Sequence, residues 1–221
     1  MTDRLHLGMQ LLESFANHKI KLDPRLWTPS PGSPAIPLPS RPSNKAADIE
    51  CLRPANLAAV SSFTRDIQGN LPAIISMYQT LQNDLAKMKT LLSGMVSKPS
   101  GGLTLDESRL HVRRQTGYGV LLLLGMMANW ALSAYGVGDA SALQIEKDTL
   151  VDEVAELAGD AVRYRPLGSG AMPGFIMAAR AITGDADRLE RLERLLELYR
   201  SDFPAGDWDL NGLPMDPVRA R

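Results

Sequence analysis

The sequence of 221 residues predicts an all-α fold: an irregular helical bundle with an N-terminal helix, a Pro-rich linker and a flexible C-terminal tail. Three observations predict it. Apolar residues recur at spacings of three and four along most of the chain. Thr104 and Glu107 stand in the T-x-x-E spacing of a helix-opening capping box. No segment alternates apolar and polar residues as a half-buried strand does.

The elements follow in order. Residues 1–22 form an amphipathic helix, with Leu5, Leu11, Leu12, Phe15 and Ala16 on one face and His18 at its end, where a cation is favoured by the helix dipole. Residues 23–56 hold eight of the fifteen prolines. Fixed φ and missing amide donors there exclude helix and central strand alike, so this stretch reads as an extended linker, with Cys51 inside it. A helical domain then occupies residues 57–204, followed by an acidic and aromatic tail over 205–221.

Within the domain the clearest periodicity runs through Ile74, Tyr78, Leu81, Leu85, Met88, Leu92 and Met95. Alternating steps of four and three make a seam that repeats every seven residues and zips against another helix. With three heptads and little flanking charge pairing, a partner helix in the same chain is favoured over a second copy. The break SKPSGG at 97–102 ends that helix. The capping box opens the next, which should reach about Tyr135. A further helix over about 140–163 has Leu143, Leu150, Val154, Leu157 and Ala161 on one face, and Glu146, Asp152, Glu153, Glu156 and Asp160 are read as its solvated surface. RPLGSGAMPG at 165–174 is a break leading to a short apolar helix through Ile182. The last helix begins at Asp185 as N-cap and carries Leu189, Leu192, Leu195, Leu196 and Tyr199.

Composition narrows the function. With 24 basic and 25 acidic residues the chain projects no strong field toward DNA or an anionic membrane. A single cysteine excludes an internal disulfide and a multi-cysteine zinc cluster, and fits an intracellular setting, nucleus or cytoplasm. The uncharged run 115–138 contains 118–137, long enough to cross a bilayer. Glycines at 119, 125 and 136 with Asn129 and Ser133 dilute it, and it reads instead as a helix buried on all sides.

Catalytic or metal chemistry needs polar groups that converge. Three histidines in separate segments offer no catalytic constellation. Glu107 and His111, one turn apart, read as a helix-surface pair, since no matching Glu-x-x-His set exists for a di-metal centre. LGSGAMPG has Arg163 and Arg165 nearby, but no strand precedes it and no Gly-Lys-Ser/Thr follows, so it reads as a connector. Neither Ser169 nor Cys51 has an identifiable base. No catalytic residue, cofactor or metal is therefore expected. The candidate partner-binding residues are Tyr78, Leu81, Leu85, Met88 and Leu92 on the seam, and Phe203, Trp208 and Leu210 among the acids of the tail. An apolar pocket lined by Met126, Met127, Met172 and Met177, serving a small helical enzyme or a ligand-binding domain, is an alternative, as is membrane association through 118–137.

The stretches TGYGVLLLLGMMANWALSAYG, LVDEVAELAGDAVRYRPLGSGAMPGFIMAARAITGD and ERLLELYRSDFP, spanning about 104–204, resemble the C-terminal region of fungal regulators of the binuclear zinc-cluster type that control secondary-metabolite gene clusters. That family reads DNA through six cysteines, and this chain has one. The resemblance therefore implies a regulator without its own DNA-binding module, which would act through a protein partner, a transcription factor or a second copy. Direct DNA binding and membrane binding are not expected.

Overall fold

A computed structural model describes residues 49–96, 103–166 and 169–202. The predicted N-terminal helix, nearly all of the linker, and Phe203, Trp208 and Leu210 of the tail region lie outside the described residues. Within them the chain is all-α. A 3-10 turn at Glu50–Leu52 leads to α1 (Pro54–Arg65), α2 (Leu71–Val96), α3 (Leu105–Ala134) and α4 (Ala140–Ala161). A second 3-10 turn, Val162–Tyr164, precedes α5 (Met172–Ile182) and α6 (Ala186–Arg200).

The helix ends form where the sequence places their signals. Thr104 Oγ1 accepts from the Glu107 amide at 3.3 Å while the Glu107 carboxylate accepts from the Thr104 amide at 3.0 Å, so both halves of the capping box are made. At the other end of α3, Gly136 adopts φ +65°. This left-handed residue lets the Val137 amide reach Leu132 O at 2.9 Å and the Gly136 amide reach Ser133 O at 3.3 Å, satisfying the last carbonyls. Asp139 and Asp185 cap α4 and α6 by accepting from Ala142 N at 2.7 Å and Arg188 N at 2.9 Å.

The 30-residue α3 is the axis of the body. It packs against α2, α4 and α5, and α6 closes over α4 and α5. Residues 117–126 of α3 are buried around the whole circumference, as expected of a helix apolar on every side. Among the described residues α3 alone is long and apolar enough to cross a membrane, and 72% of its apolar window is buried inside the fold.

The favoured internal partner of the seam is found, and two other expectations are corrected. The seam of α2 closes within its own chain: Ile74, Leu81, Leu85 and Met88 are core residues, and Tyr78 and Leu92 are partly buried against them. Leu81, Leu85 and Met88 are thus spent on folding, and a partner could reach them only by displacing α3. The helical body also reaches back into the stretch read as linker. Cys51 and Leu52 are buried in the main core, and the Cys51 amide donates to Asp84 Oδ2 at 2.8 Å. One buried carboxylate fastens eight residues of assumed linker. Finally, the acidic face of α4 is not simply solvated. Glu153 pairs with Lys89 at 2.7 Å and accepts from Tyr118, Glu146 accepts from Gln82, and Asp152 receives a two-pronged Arg188 at 2.9 and 3.0 Å. Only Glu156 and Asp160 remain exposed.

Candidate binding cleft

Beyond its buried middle, α3 runs into a less closed region. Its C-terminal half, residues 123–134, forms one wall of a cleft of about 950 Å³. The remaining walls come from Val60, Phe63 and Ile67 of α1 and the turn after it, Ile74 and Met77 of α2, Leu143, Gln144 and Lys147 of α4, and Ala178, Ala181 and Ile182 at the end of α5. The glycine-ended turn between α3 and α4 makes the space, because Gly136 and Gly138, at φ +65° and +89°, reverse the chain tightly and contribute no side chain to it.

The lining is apolar with few exceptions. Asn129 is 1% exposed. Its Nδ2 donates to Leu143 O at 2.9 Å and to Tyr78 Oη at 3.2 Å, tying α3 to α4 and α2; its Oδ1 accepts no hydrogen bond among the described residues. Burial and the neighbouring Glu146 push the Tyr78 phenol up, so it stays protonated. Among the described residues Lys147 is the only charged residue of the lining. It donates to Gln144 Oε1 at 2.8 Å and has no carboxylate partner among the described residues. The nearby Asp148 is engaged by Arg188 at 3.6 Å.

This is a binding geometry: apolar walls, an internal amide and one cation at an edge, in a volume typical of small-molecule sites. It meets part of the pocket expectation. Met126 and Met127 line the cleft together with Met77, whereas Met172 and Met177 are buried in the closed core and do not reach it. Among the seam residues Ile74 lines it and Tyr78 approaches it through Asn129. The sequence reading passed over Asn129 and Lys147 as binding groups. Both had a signal: Asn129 interrupts an apolar run, and Lys147 is the only basic residue of α4.

The other groups weighed from the sequence are committed elsewhere. His111 is 2% exposed rather than on the surface. Its Nδ1 lies 2.6 Å from Tyr164 Oη and 3.3 Å from the Arg163 guanidinium. With donors on that side, the ring is the Nε2–H tautomer, and burial followed by the Arg163 charge holds its pKa below the ordinary value. Glu107 caps its helix. Arg165 grips Asp202, with Nη2 to Oδ1 at 2.6 Å, and Ser201 at 2.6 Å. Arg165 is thereby committed away from an anion at the LGSGAMPG connector. Ser169 is buried, its hydroxyl unpartnered among the described residues. The Cys51 thiol is pushed up to about 12, by burial first and Asp84 second, which removes it as a nucleophile at neutral pH. Among the described residues no group of three or more His, Cys, Asp or Glu is placed to hold a metal ion.

No protein-family model, curated protein or solved structure matches the chain.

Proposed function

We propose that this chain is a non-enzymatic regulatory protein that acts through protein contacts, in the manner of a binuclear zinc-cluster regulator without its own zinc cluster, in control of a biosynthetic gene cluster. Two facts support the reading together. The resembling stretch, as far as Asp202, is the part that folds into α3–α6. The observation that carries it is an accessible apolar surface at the cleft end of that unit: Tyr135, next to the cleft-lining Gly136, is 43% exposed, and Ile145, next to Gln144, is 69% exposed. Exposed apolar side chains mark partner sites where they join a larger apolar patch, and these two flank residues of the cleft lining in the sequence. They replace the seam as the working surface.

The test is genetic. Deleting the gene should change transcripts of neighbouring biosynthetic genes, and a chromosomal Ile145→Asp copy, accumulating to the same protein level, should reproduce part of that change. Unaltered transcripts in the deletion strain would remove the regulatory reading. A second reading, a ligand-binding domain, is favoured by the cleft itself.

A further inference from the structure

We propose that the cleft binds a small lipophilic carboxylic acid, its hydrocarbon body along α3 and its carboxylate at Lys147. The inference stands apart from the regulatory reading and needs only the cleft.

Size and chemistry define the ligand class. A volume of about 950 Å³ lies near the upper end of the roughly 300–1,000 Å³ of small-molecule sites. Three methionines in the lining, Met77, Met126 and Met127, give walls that adapt to an irregular apolar shape. The charge pattern selects an anion. Among the described residues no acidic residue lines the cleft, and Lys147 is the one charge of its lining. On a helix with six acids, that cation has only the neutral Gln144 as hydrogen-bond partner. A carboxylate beside it would gain a charge-assisted hydrogen bond without displacing an ion pair. The buried end is polar as well. Asn129 is anchored to the Leu143 carbonyl, four residues and so about 6 Å along α4 from Lys147. Its uncommitted Oδ1 can accept from a hydroxyl or N–H on the ligand body. A neutral hydrocarbon would leave both groups unanswered.

Calorimetric titration of the full chain with decanoate and with decan-1-ol tests the proposal, since the two probes share the apolar body and differ in charge. Decanoate should bind saturably and about tenfold more tightly than decan-1-ol, the factor expected of one charge-assisted bond at a partly exposed site. Lys147→Gln should erase that preference by weakening decanoate selectively. Ala181→Phe, which narrows the cleft from a half-exposed position, should weaken binding of both with the helical circular dichroism retained. Equal affinities in the wild type, a preference that survives Lys147→Gln, or no saturable heat with either probe would overturn the proposal. So would decanoate binding that appears only in Trp208→Ala, because that outcome assigns the cleft to the protein's own tail. A gene deletion without transcriptional effect would leave this result standing, and a failed titration would leave the genetic one standing.

Discussion

Residues 105–122, which carry all the charges of α3, and the uncharged 123–134 belong to one unbroken helix, and the fold holds its two halves by different means. Around the first half, polar side chains bridge neighbouring elements. Tyr118 reaches Glu153 on α4, which also holds Lys89 of α2; His111 meets Tyr164; and Arg114 donates to Leu91 O at 3.3 Å. Asp84 adds the nearby tie to Cys51. Around the second half Asn129 makes the polar ties, and the remainder is apolar contact beside a cleft. The difference teaches where a helical body can spare packing for binding: directional bonds fix the register at one end and leave the other end free of that task.

The sharpest way to break this comparison is a pair of truncations. Leu122, fully buried in the closed half, should cost about 3 kcal/mol as Leu122→Ala, since the cavity left behind is enclosed. Met127, half-buried and lining the cleft, should cost about 1 kcal/mol as Met127→Ala, because the new space joins one already open. Urea denaturation midpoints decide it, and equal losses would mean that the two halves are packed alike. Next in size is Asp84→Ala, expected to cost about 2 kcal/mol by leaving the Cys51 amide buried without an acceptor. Asp84→Asn keeps an acceptor and should recover most of that, since the Lys87 ion pair at 3.1 Å has a half-exposed lysine and contributes little.

That latch also shows what the sequence could not convey. Periodicity made α2, α3, α4 and α6 legible, and Thr104 and Asp185 marked their starts, because these signals are local to one helix. Cys51 and Leu52 are two apolar residues in a proline-rich context without a period, and only Asp84, 33 residues away, gives them a place. The cleft is less legible still. Met126 and Met127 carried a hint of it, but which methionines face an opening depends on how α1, α4 and α5 approach α3, and no local pattern encodes that. The seam was legible as a packing surface, and its internal partner was the favoured one. Naming the same residues a partner site ran against that expectation, since side chains spent on the core are unavailable to a surface.

Two glycines of α3 sharpen the comparison with smaller effects. A Cβ at Gly119 would strike the Phe175 ring of α5, whereas one at Gly125 would meet the Leu150 methyls at 3.2 and 3.4 Å and a Leu81 methyl at 3.6 Å. Alanine gains about 1 kcal/mol over glycine in a helix interior, and overpacking costs about 1–3 kcal/mol. Gly119→Ala should therefore lose about 1 kcal/mol net, because a buried ring has nowhere to go. Gly125→Ala should fall within about 0.5 kcal/mol of wild type, because leucine ends can yield by tenths of an ångström. Thermal midpoints that move equally for both would show that α5 is not closely seated on α3.

The smallest effect at neutral pH belongs to His111, and its sign is fixed by the closed half. Burial and Arg163 lower its folded-state pKa below the ordinary 6.5, so the fold favours the neutral ring. The unfolded chain then binds the proton more readily, and stability that is complete above pH 6.5 is lost as pH falls toward and through the depressed folded value. Urea midpoints should fall between pH 7.5 and 5.0 more steeply in wild type than in His111→Gln, which can still accept from Tyr164 but cannot titrate. Arg163→Gln should soften the fall in wild type, since it removes a cation beside Nδ1 at 3.3 Å. An unchanged acid slope in His111→Gln would mean that this buried ring does not govern the acid response, and that the closed half is held by packing rather than by its polar ties.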